Sequence, residues 1–176
     1  MKDELLIVVD EHDHPLAEAG KMEVHQKGIL HRAFSVFIFN QEGKWLLQQR
    51  ADSKYHSAGL WTNACCSHPH PAEKTEDAAA KRLHEEMGIK SVLNHIFSFT
   101  YRAEFENGLT EYEFDHIYSG YSNDVPSINK GEVMAYRYVS IDEIRKEIIE
   151  KPETFTKWFV MMFEKVNQYK SDKTAA

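Results

Sequence analysis

The chain has 176 residues, of which 42% are hydrophobic and 12% aromatic, and its formal net charge is −7. This length and hydrophobic content suit one compact domain with a sizeable core. The negative charge argues against a general affinity for nucleic acid or for an anionic membrane. An anionic substrate would therefore need a local cluster of Lys and Arg.

The ends of the chain and its two cysteines narrow the class of protein further. No run of roughly eighteen apolar residues predicts a membrane span, and the start MKDELLIVVD lacks the pattern of a signal peptide. Cys65 and Cys66 are adjacent, which fits neither a disulfide framework nor the usual spacing of a zinc site. We therefore expect a reduced, cytoplasmic protein with one domain over residues 1–170 and a flexible tail over 171–176.

Apolar runs and alternating apolar residues, bounded by turn residues, predict most of the strands. In chain order these are 4–10, 32–40, 44–50, 95–105, 110–121 and 132–140. The turn residues QEG join the second and third of these strands into a hairpin, and Asn107-Gly108 joins the fourth and fifth.

Capping residues and apolar spacing predict three helices. Thr75 as N-cap and Gly88 after the last turn bound a helix over 75–87. A second helix follows the S-x-x-E capping box that begins at Ser140, and Pro152 ends it. The last helix carries an apolar stripe of Phe155, Trp158, Phe159, Met162, Phe163 and Val166. Mixed strands with three helices predict an α/β sandwich or an α+β domain.

The helix over 75–87 lies in a string with a recognisable pattern. From Glu73 the chain reads E-x7-K-R-L-H-E-E-M-G-I. This string resembles the Nudix box, G-x5-E-x7-R-E-U-x-E-E-x-G-U, where U is apolar. Ser67 stands at the first glycine, and Lys81-Arg82 replaces Arg-Glu. The resemblance implies an α/β fold, a Nudix-like α/β/α sandwich with a mixed β-sheet, whereas the lost glutamate argues against nucleotide hydrolysis.

The loop before this helix carries a second pattern. Residues 62–69, TNACCSHP, resemble the Thr-Asn-x-x-Cys-x-His-Pro signature of the type I isopentenyl diphosphate isomerases. Further segments resemble the same family in order and spacing, at 20–35, 46–54, 99–105, 110–118 and 154–162. The resemblance covers nearly the whole chain and implies isomerisation of isopentenyl diphosphate to dimethylallyl diphosphate.

That reaction protonates an unactivated alkene and removes a proton two carbons away, so it needs an acid and a base on opposite faces of the substrate. The resemblance implies that Cys66 and Glu113 are this pair, and that Tyr101 assists proton delivery beside Glu113. Aromatic rings would shield the carbocation from water and stabilise its charge. Trp61 and Trp158 are the candidates, although Trp61 is as typical of a core residue.

The resemblance also implies a site for Mn²⁺, Zn²⁺ or Mg²⁺. Its ligands would be three histidines and two carboxylates, namely His25, His31, His68, Glu111 and Glu113. Mixed nitrogen and oxygen donors suit such borderline divalent ions. From the sequence alone, two glutamates two apart on a strand are more typical of an exposed acidic stripe, and the histidine spacing carries no signal.

A second ion and a set of cations would hold the diphosphate. By the same resemblance, Mg²⁺ would bridge Glu86 and the diphosphate, with the carbonyl of Cys66 as a further ligand. Neutralisation of the diphosphate would fall to Lys21, Arg50, Lys54 and Arg82. Arg82 occupies the position of the glutamate that the Nudix box has lost, which fits binding a diphosphate without cleaving it.

Two other functions stay open. One is a Nudix hydrolase acting on a nucleoside diphosphate derivative, and the other is a non-catalytic binding module, which would lack Cys66 or Glu113. We expect a small diphosphate as partner, no nucleic acid or membrane, and a monomer or weak homodimer. The remaining histidines, His56 and His70 among them, show no partner pattern, and Cys65 is expected to be a packed thiol.

Overall fold

The computed structural model of the chain describes residues 4–175, which form strands, α-helices and one short 3₁₀ turn. The strands are β1 Leu5–Val9, β2 Pro15–Gly20, β3 His31–Phe39, β4 Trp45–Arg50, β5 Trp61–Thr62, β6 Cys65–Ser67, β7 Asn94–Glu104, β8 Thr110–Tyr121 and β9 Val133–Val139. The helices are α1 Lys21–Lys27, α2 Thr75–Met87, α3 Ile141–Glu150 and α4 Lys157–Ala175, with the 3₁₀ turn at Pro152–Thr154. Within this range no helix combines the length and the apolar character that a membrane crossing requires.

β3 is the central strand of a mixed sheet. It runs parallel to β8 and antiparallel to β1, β4 and β6. β7 pairs antiparallel with β8, and β9 pairs antiparallel with β4. A strand with neighbours on both sides and both faces covered is expected to be continuously apolar, and the β3 sequence HRAFSVFIF is buried along almost its whole length.

The two faces of β3 contact two different apolar clusters. Phe34, Val36 and Ile38 pack with the buried side of α2, whereas Phe37 and Phe39 pack with α3 and α4. Successive side chains of a strand point to opposite faces, so the sheet lies between helical layers. This arrangement is an α/β/α sandwich around a mixed sheet, as predicted.

All strands and helices predicted from the sequence are present, and the capping box at Ser140 forms as expected. Three short strands and one short helix were not predicted, namely β2, β5, β6 and α1, and neither was the 3₁₀ turn. β2 has the sequence PLAEAG, which lacks an alternating pattern and owes its conformation to pairing with β1. α1 has only seven residues and ends at Gly28, whose φ of 60° is left-handed.

Two predicted boundaries need correction. Lys74 is the N-cap of α2, and Thr75 is its first helical residue. Phe155 follows the 3₁₀ turn in an extended conformation and bridges to Trp61, so it precedes the last helix. α4 continues to Ala175, so residues 171–175 of the expected tail are helical, while Ala176 lies outside the described residues. The division of the chain at residue 170 stays a prediction.

Candidate active site

One cavity of about 420 Å³ gathers most of the residues that the sequence singled out. It lies beside β3 and β8, between α2 on one side and the start of α4 on the other. Predicted residues on its wall are Lys21, Arg50, Lys54, Cys66, His68, Arg82, Glu86, Tyr101, Glu111, Glu113 and Trp158. His25 and His31 are fully buried directly behind this wall, next to His68.

The strand β6 separates the two cysteines. Cys65 is fully buried and packs in the apolar cluster under α2. Cys66 pairs with Ser35 across to β3 and lies on the cavity wall, packed against the opposite cluster. Alternation along the strand therefore gives one thiol to the core and the other to the cavity. Burial raises the pKa of the Cys66 thiol well above its usual range, so the thiol is protonated at neutral pH.

Three histidines and a carboxylate converge at the inner end of the cavity. The Nε2 atoms of His31 and His68 are 3.2 Å apart, and Oε1 of Glu113 is 3.1 Å from His68 Nε2 and 3.6 Å from His31 Nε2. One ligand atom from each of these residues and from His25 lies within 4.8 Å of all the others. The pairing of β3 with β8 causes this convergence, because it sets His31 directly opposite Glu113.

Hydrogen bonds behind the histidines orient their rings. The Nδ1 atoms of His25 and His31 are 2.7 and 2.8 Å from the carbonyls of Lys21 and Ile29, so each Nδ1–H donates and each Nε2 keeps its lone pair. His25 Nε2 is buried without a hydrogen-bond partner among the described residues. Burial lowers the pKa of both His25 and His68 to about 4, which keeps the rings neutral.

This set of atoms fits a divalent metal ion. Lone pairs that face one another in a buried site repel unless a proton or a cation lies between them. The unpartnered His25 Nε2 supplies the observation from the structure itself. Neutral imidazoles with a carboxylate are typical ligands of borderline divalent ions, so His25, His31, His68 and Glu113 could hold one.

Two glutamates on β8 share Tyr101 between them. The Tyr101 hydroxyl is 2.7 Å from Glu113 Oε2 and 3.0 Å from Glu111 Oε2. Burial and the neighbouring charge of Glu113 raise the pKa of Glu111 to about 8. Burial also raises the pKa of Glu113, but contacts with His31 and His68 outweigh it and hold that pKa well below its usual range. Tyr101 therefore donates to the ionised Glu113 and accepts the proton of Glu111.

The outer end of the cavity carries the predicted cations, and most of them are paired with acids. Lys21 lies 2.8 Å from Glu4, and Lys54 pairs with Glu132. Arg82 is 2.7 Å from each of Glu85 and Glu86 and 3.4 Å from Glu132, the last of which joins Lys54 and Arg82. These ion pairs hold the cations around an opening that faces solvent.

Arg50 and Trp158 lie together at the cavity, whereas Trp61 lies elsewhere. Arg50 donates to the carbonyls of Ser57 and His56, and its guanidinium is 5.2 Å from the centre of the Trp158 ring. Trp158 is buried and lies on the cavity wall. Trp61 is not brought to this cavity in the described structure, and its ring packs against Arg137 at 4.3 Å. The position of Trp61 supports core packing, the alternative that the sequence left open.

Three residues in or beside the cavity were missed from the sequence: His56 and Glu132 line it, and Asp115 is buried beside it. His56 lies in the loop after β4, and its Nε2 is 3.1 Å from Oε1 of Glu111. Asp115 continues the face of β8 that carries Glu111, and it accepts a 2.8 Å hydrogen bond from Ser35. Glu132, which directly precedes β9, forms ion pairs with both Lys54 and Arg82. Only Asp115 had a usable signal, since it follows Glu113 at a spacing of two along a strand.

The chain matches the NUDIX domain family over residues 29–159, which is most of its length. It is 51% identical to the isopentenyl-diphosphate Delta-isomerase of Pectobacterium atrosepticum over 93% of this chain and 92% of that protein. It is 46% identical to the isopentenyl-diphosphate Delta-isomerase of Serratia proteamaculans over 98% of this chain and 97% of that protein.

Solved structures with low sequence identity share the fold. A protein from Deinococcus radiodurans superposes with a TM-score of 0.70 at 18% identity, covering 84% of this chain and 90% of that one. A MutT protein from Methanosarcina mazei superposes with a TM-score of 0.65 at 21% identity, covering 79% and 94%. The chain therefore belongs to the Nudix domain family and, within it, to the isopentenyl-diphosphate Delta-isomerases.

Proposed function

We propose that this chain isomerises isopentenyl diphosphate to dimethylallyl diphosphate. The observation that carries the proposal is the placement of Cys66, Tyr101, Glu113 and Trp158 around one cavity whose opening is lined by cations. The curated relatives bear the name of this isomerase at up to 51% identity. The substrate combines a small apolar alkene with a diphosphate, and the cavity combines an enclosed inner end with a cationic opening.

Binding of the diphosphate falls to the outer end. Lys21, Arg50, Lys54 and Arg82 supply the positive charge, and charge-assisted hydrogen bonds to phosphate oxygens are stronger than neutral ones. The acids that now pair with these cations, such as Glu132, would exchange their partners for phosphate oxygens. The alkene then extends toward Cys66 and Glu113 at the inner end.

The double bond moves by one proton gained and one proton lost. A proton is added to the terminal methylene carbon, which places positive charge on the tertiary carbon. A proton is then removed from the methylene carbon next to the tertiary carbon, two positions from the newly protonated one. The electrons of that C–H bond form the new double bond with the tertiary carbon. Cys66 and Glu113 exchange these two protons with the substrate from opposite sides. The protonated thiol of Cys66 and the Tyr101–Glu113 hydrogen bond supply the cavity with two groups that can transfer a proton.

Exclusion of water protects the cationic intermediate. Trp158 and Tyr101 are buried and lie on the cavity wall. Aromatic faces attract a cation through their quadrupoles by about 0.5–2 kcal/mol, and they leave no space for the water that would trap it.

Two metal ions complete the proposal. His25, His31, His68, Glu111 and Glu113 would hold Mn²⁺, Zn²⁺ or Mg²⁺, and this ion would supply positive charge that stabilises an ionised carboxylate. Glu86 and the carbonyl of Cys66 would hold Mg²⁺ with the diphosphate. Glu86 is buried and hydrogen-bonded to Arg82 and Gln48, which holds its carboxylate at the cavity wall.

The hydrolase alternative is not favoured. Arg82 stands where the Nudix box has a glutamate, and it pairs with Glu85 and Glu86. A cation at that position neutralises the remaining acids and reduces the number of carboxylates that can bind metal for hydrolysis.

The test is incubation of the protein with Mg²⁺ and isopentenyl diphosphate while the product is followed by ¹H NMR. We expect the methyl resonances of dimethylallyl diphosphate, with one deuterium incorporated in D₂O. Release of phosphate from nucleotides without any dimethylallyl diphosphate would contradict the proposal. A cytoplasmic location, the absence of nucleic-acid or membrane partners, and a monomer or weak homodimer stay predictions.

A further inference from the structure

His56 is a buried histidine of the cavity that the proposed mechanism does not use. It lies in the loop between β4 and β5, it is 7% exposed, and its ring reaches the cavity wall. Its Nε2 lies 3.1 Å from Oε1 of Glu111, and its Nδ1 lies 3.3 Å from the hydroxyl oxygen of Ser57. Both ring nitrogens therefore have a polar partner.

The surroundings of His56 fix the orientation of its ring. Phe105 stacks on the ring at 4.6 Å between centroids and 19° between planes, while Tyr55 and Trp158 contact it edge-on. The backbone is also constrained, since the His56 carbonyl accepts a hydrogen bond from Arg50 and the next residue, Ser57, has a φ of 51°. A left-handed conformation is uncommon outside glycine and persists where packing enforces it.

The contacts of His56 locate its proton. A serine hydroxyl can donate to an imidazole nitrogen, and Ser57 Oγ is 3.3 Å from Nδ1. With Ser57 donating to Nδ1, the ring proton lies on Nε2, which is 3.1 Å from Oε1 of Glu111.

Glu111 lies between His56 and the histidine cluster. One of its oxygens and one ring nitrogen from each of His25 and His56 lie within 4.8 Å of one another. Its other oxygen contacts the Tyr101 hydroxyl at 3.0 Å. Once Glu111 is ionised, each of its oxygens has a second lone pair, so neither contact prevents it from binding an ion.

We propose that His56 is a positioning residue, whose Nε2–H holds the carboxylate of Glu111 at the edge of the histidine cluster so that it can bind the metal ion there. The inference rests on the proposed function in one respect, because it takes Glu111 as a ligand. Hydrogen-bond partners of metal ligands fix the ligand's direction, and their loss typically weakens metal affinity about 10–100-fold.

The test uses metal-stripped full-length protein and two variants. His56→Phe keeps a ring for the stack on Phe105 but removes the donor, and His56→Gln carries an amide N–H at a similar reach. Mn²⁺ binding is measured by calorimetric titration, and thermal unfolding without metal shows whether each variant is folded. We expect His56→Phe to bind Mn²⁺ about 10–100-fold more weakly and His56→Gln to recover most of that loss.

Two results with these variants would overturn the inference. Wild-type Mn²⁺ affinity in folded His56→Phe would show that the donor does not matter. A folded His56→Gln that binds as weakly as His56→Phe would show that the ring nitrogen is itself a ligand, a role that the proximity of His25, His56 and Glu111 also permits.

A measurement on the wild type makes the test independent of variant folding. In Zn²⁺-loaded, ¹⁵N-labelled protein we expect the His56 proton on Nε2, and a proton on Nδ1 would overturn the inference. Failure of the wild type to isomerise isopentenyl diphosphate would contradict the proposed function alone, since metal affinity and the His56 tautomer are read without turnover.

Discussion

The inner and outer ends of the cavity differ in the burial of their side chains and in the charges that those side chains pair with. At the inner end, His25 and His31 are fully buried, and their ring nitrogens converge with Glu113. At the outer end, Lys54 and Arg82 are partly exposed and already paired with Glu132. The inner end therefore holds atoms that need a cation, whereas the outer end holds cations that must change partners. Substitutions are expected to reduce chemistry at the inner end and to shift substrate binding at the outer end.

The largest effect is expected for Glu113→Gln, because Glu113 contributes both to proton transfer and to the metal cluster. We expect kcat to fall by about 10⁴-fold and Mn²⁺ affinity to fall by at least about 100-fold, measured by NMR turnover and calorimetric titration. Glu85→Gln, an equivalent change at the partly exposed outer end, is the control and should leave Mn²⁺ affinity unchanged. If Glu113→Gln protein kept its activity in the presence of a chelator, neither Glu113 nor a bound metal ion would be needed for the chemistry. The functional difference between the inner and outer ends would then be contradicted.

Cys66→Ala is expected to come next, with kcat reduced by about 10³-fold while the fold survives, because the substitution removes one proton-transfer group. Cys65→Ala is the matched control on the other face of β6, and it should cost about 1 kcal/mol of stability with nearly unchanged turnover. Equal loss of turnover in both variants would mean that the strand face does not decide the role of each thiol.

Metal binding should stabilise the inner end measurably. At a free Mn²⁺ concentration about 100 times its Kd, a single site adds about 2.7 kcal/mol to the free energy of unfolding. For a chain of this size that corresponds to a rise of about 5–10 °C in Tm. Calorimetric or fluorescence melting with and without EDTA measures the rise. The same rise in Glu113→Gln would place the stabilising ion elsewhere.

At the outer end, Lys54→Gln is expected to raise KM about tenfold with kcat little changed. A hydrogen bond to a charged group contributes about 1.5–3 kcal/mol, and a loss confined to KM marks an interaction that substrate and transition state share. Steady-state kinetics measures both constants, with Lys146→Gln on the exposed side of α3 as control. A fall in kcat alone would show that Lys54 acts on the chemistry.

The smallest effect is expected for Glu132→Gln, which frees Lys54 and Arg82 from their present partner. Partly exposed ion pairs contribute about 0–1 kcal/mol, so KM should fall by no more than about fivefold. The measurement is KM at low and high salt. A higher KM in this variant would show that Glu132 positions the cations rather than competing with the diphosphate.

Local patterns were enough to predict most of the fold. An apolar run predicted β3, alternation predicted β7 and β8, and the capping box at Ser140 and the left-handed Gly88 bound helices as expected. The patterns failed for short elements such as β2 and α1, whose conformation depends on a partner strand or on a single turn. The predicted start of α2 was wrong by one residue, because Lys74 and not Thr75 is the N-cap.

The candidate site depended far less on local patterns. Cys66, His68 and Glu86 belong to motifs that are contiguous in the sequence, so resemblance alone could single them out. His25 and His31 have no informative spacing, and His56 has no pattern at all. Trp61 and Trp158 were both candidates in the sequence, with core packing left open for Trp61, and only Trp158 lies on the cavity wall among the described residues.

The sequence by itself determined the periodicities, and with them which face of each predicted strand is apolar. The tertiary structure alone decided which distant residues meet. The parallel pairing of β3 with β8 sets His31 opposite Glu113, and the pairing of β7 with β8 sets Tyr101 opposite the same residue. Strand register between segments this far apart depends on the packing of both faces of the sheet, and a local pattern specifies only the face.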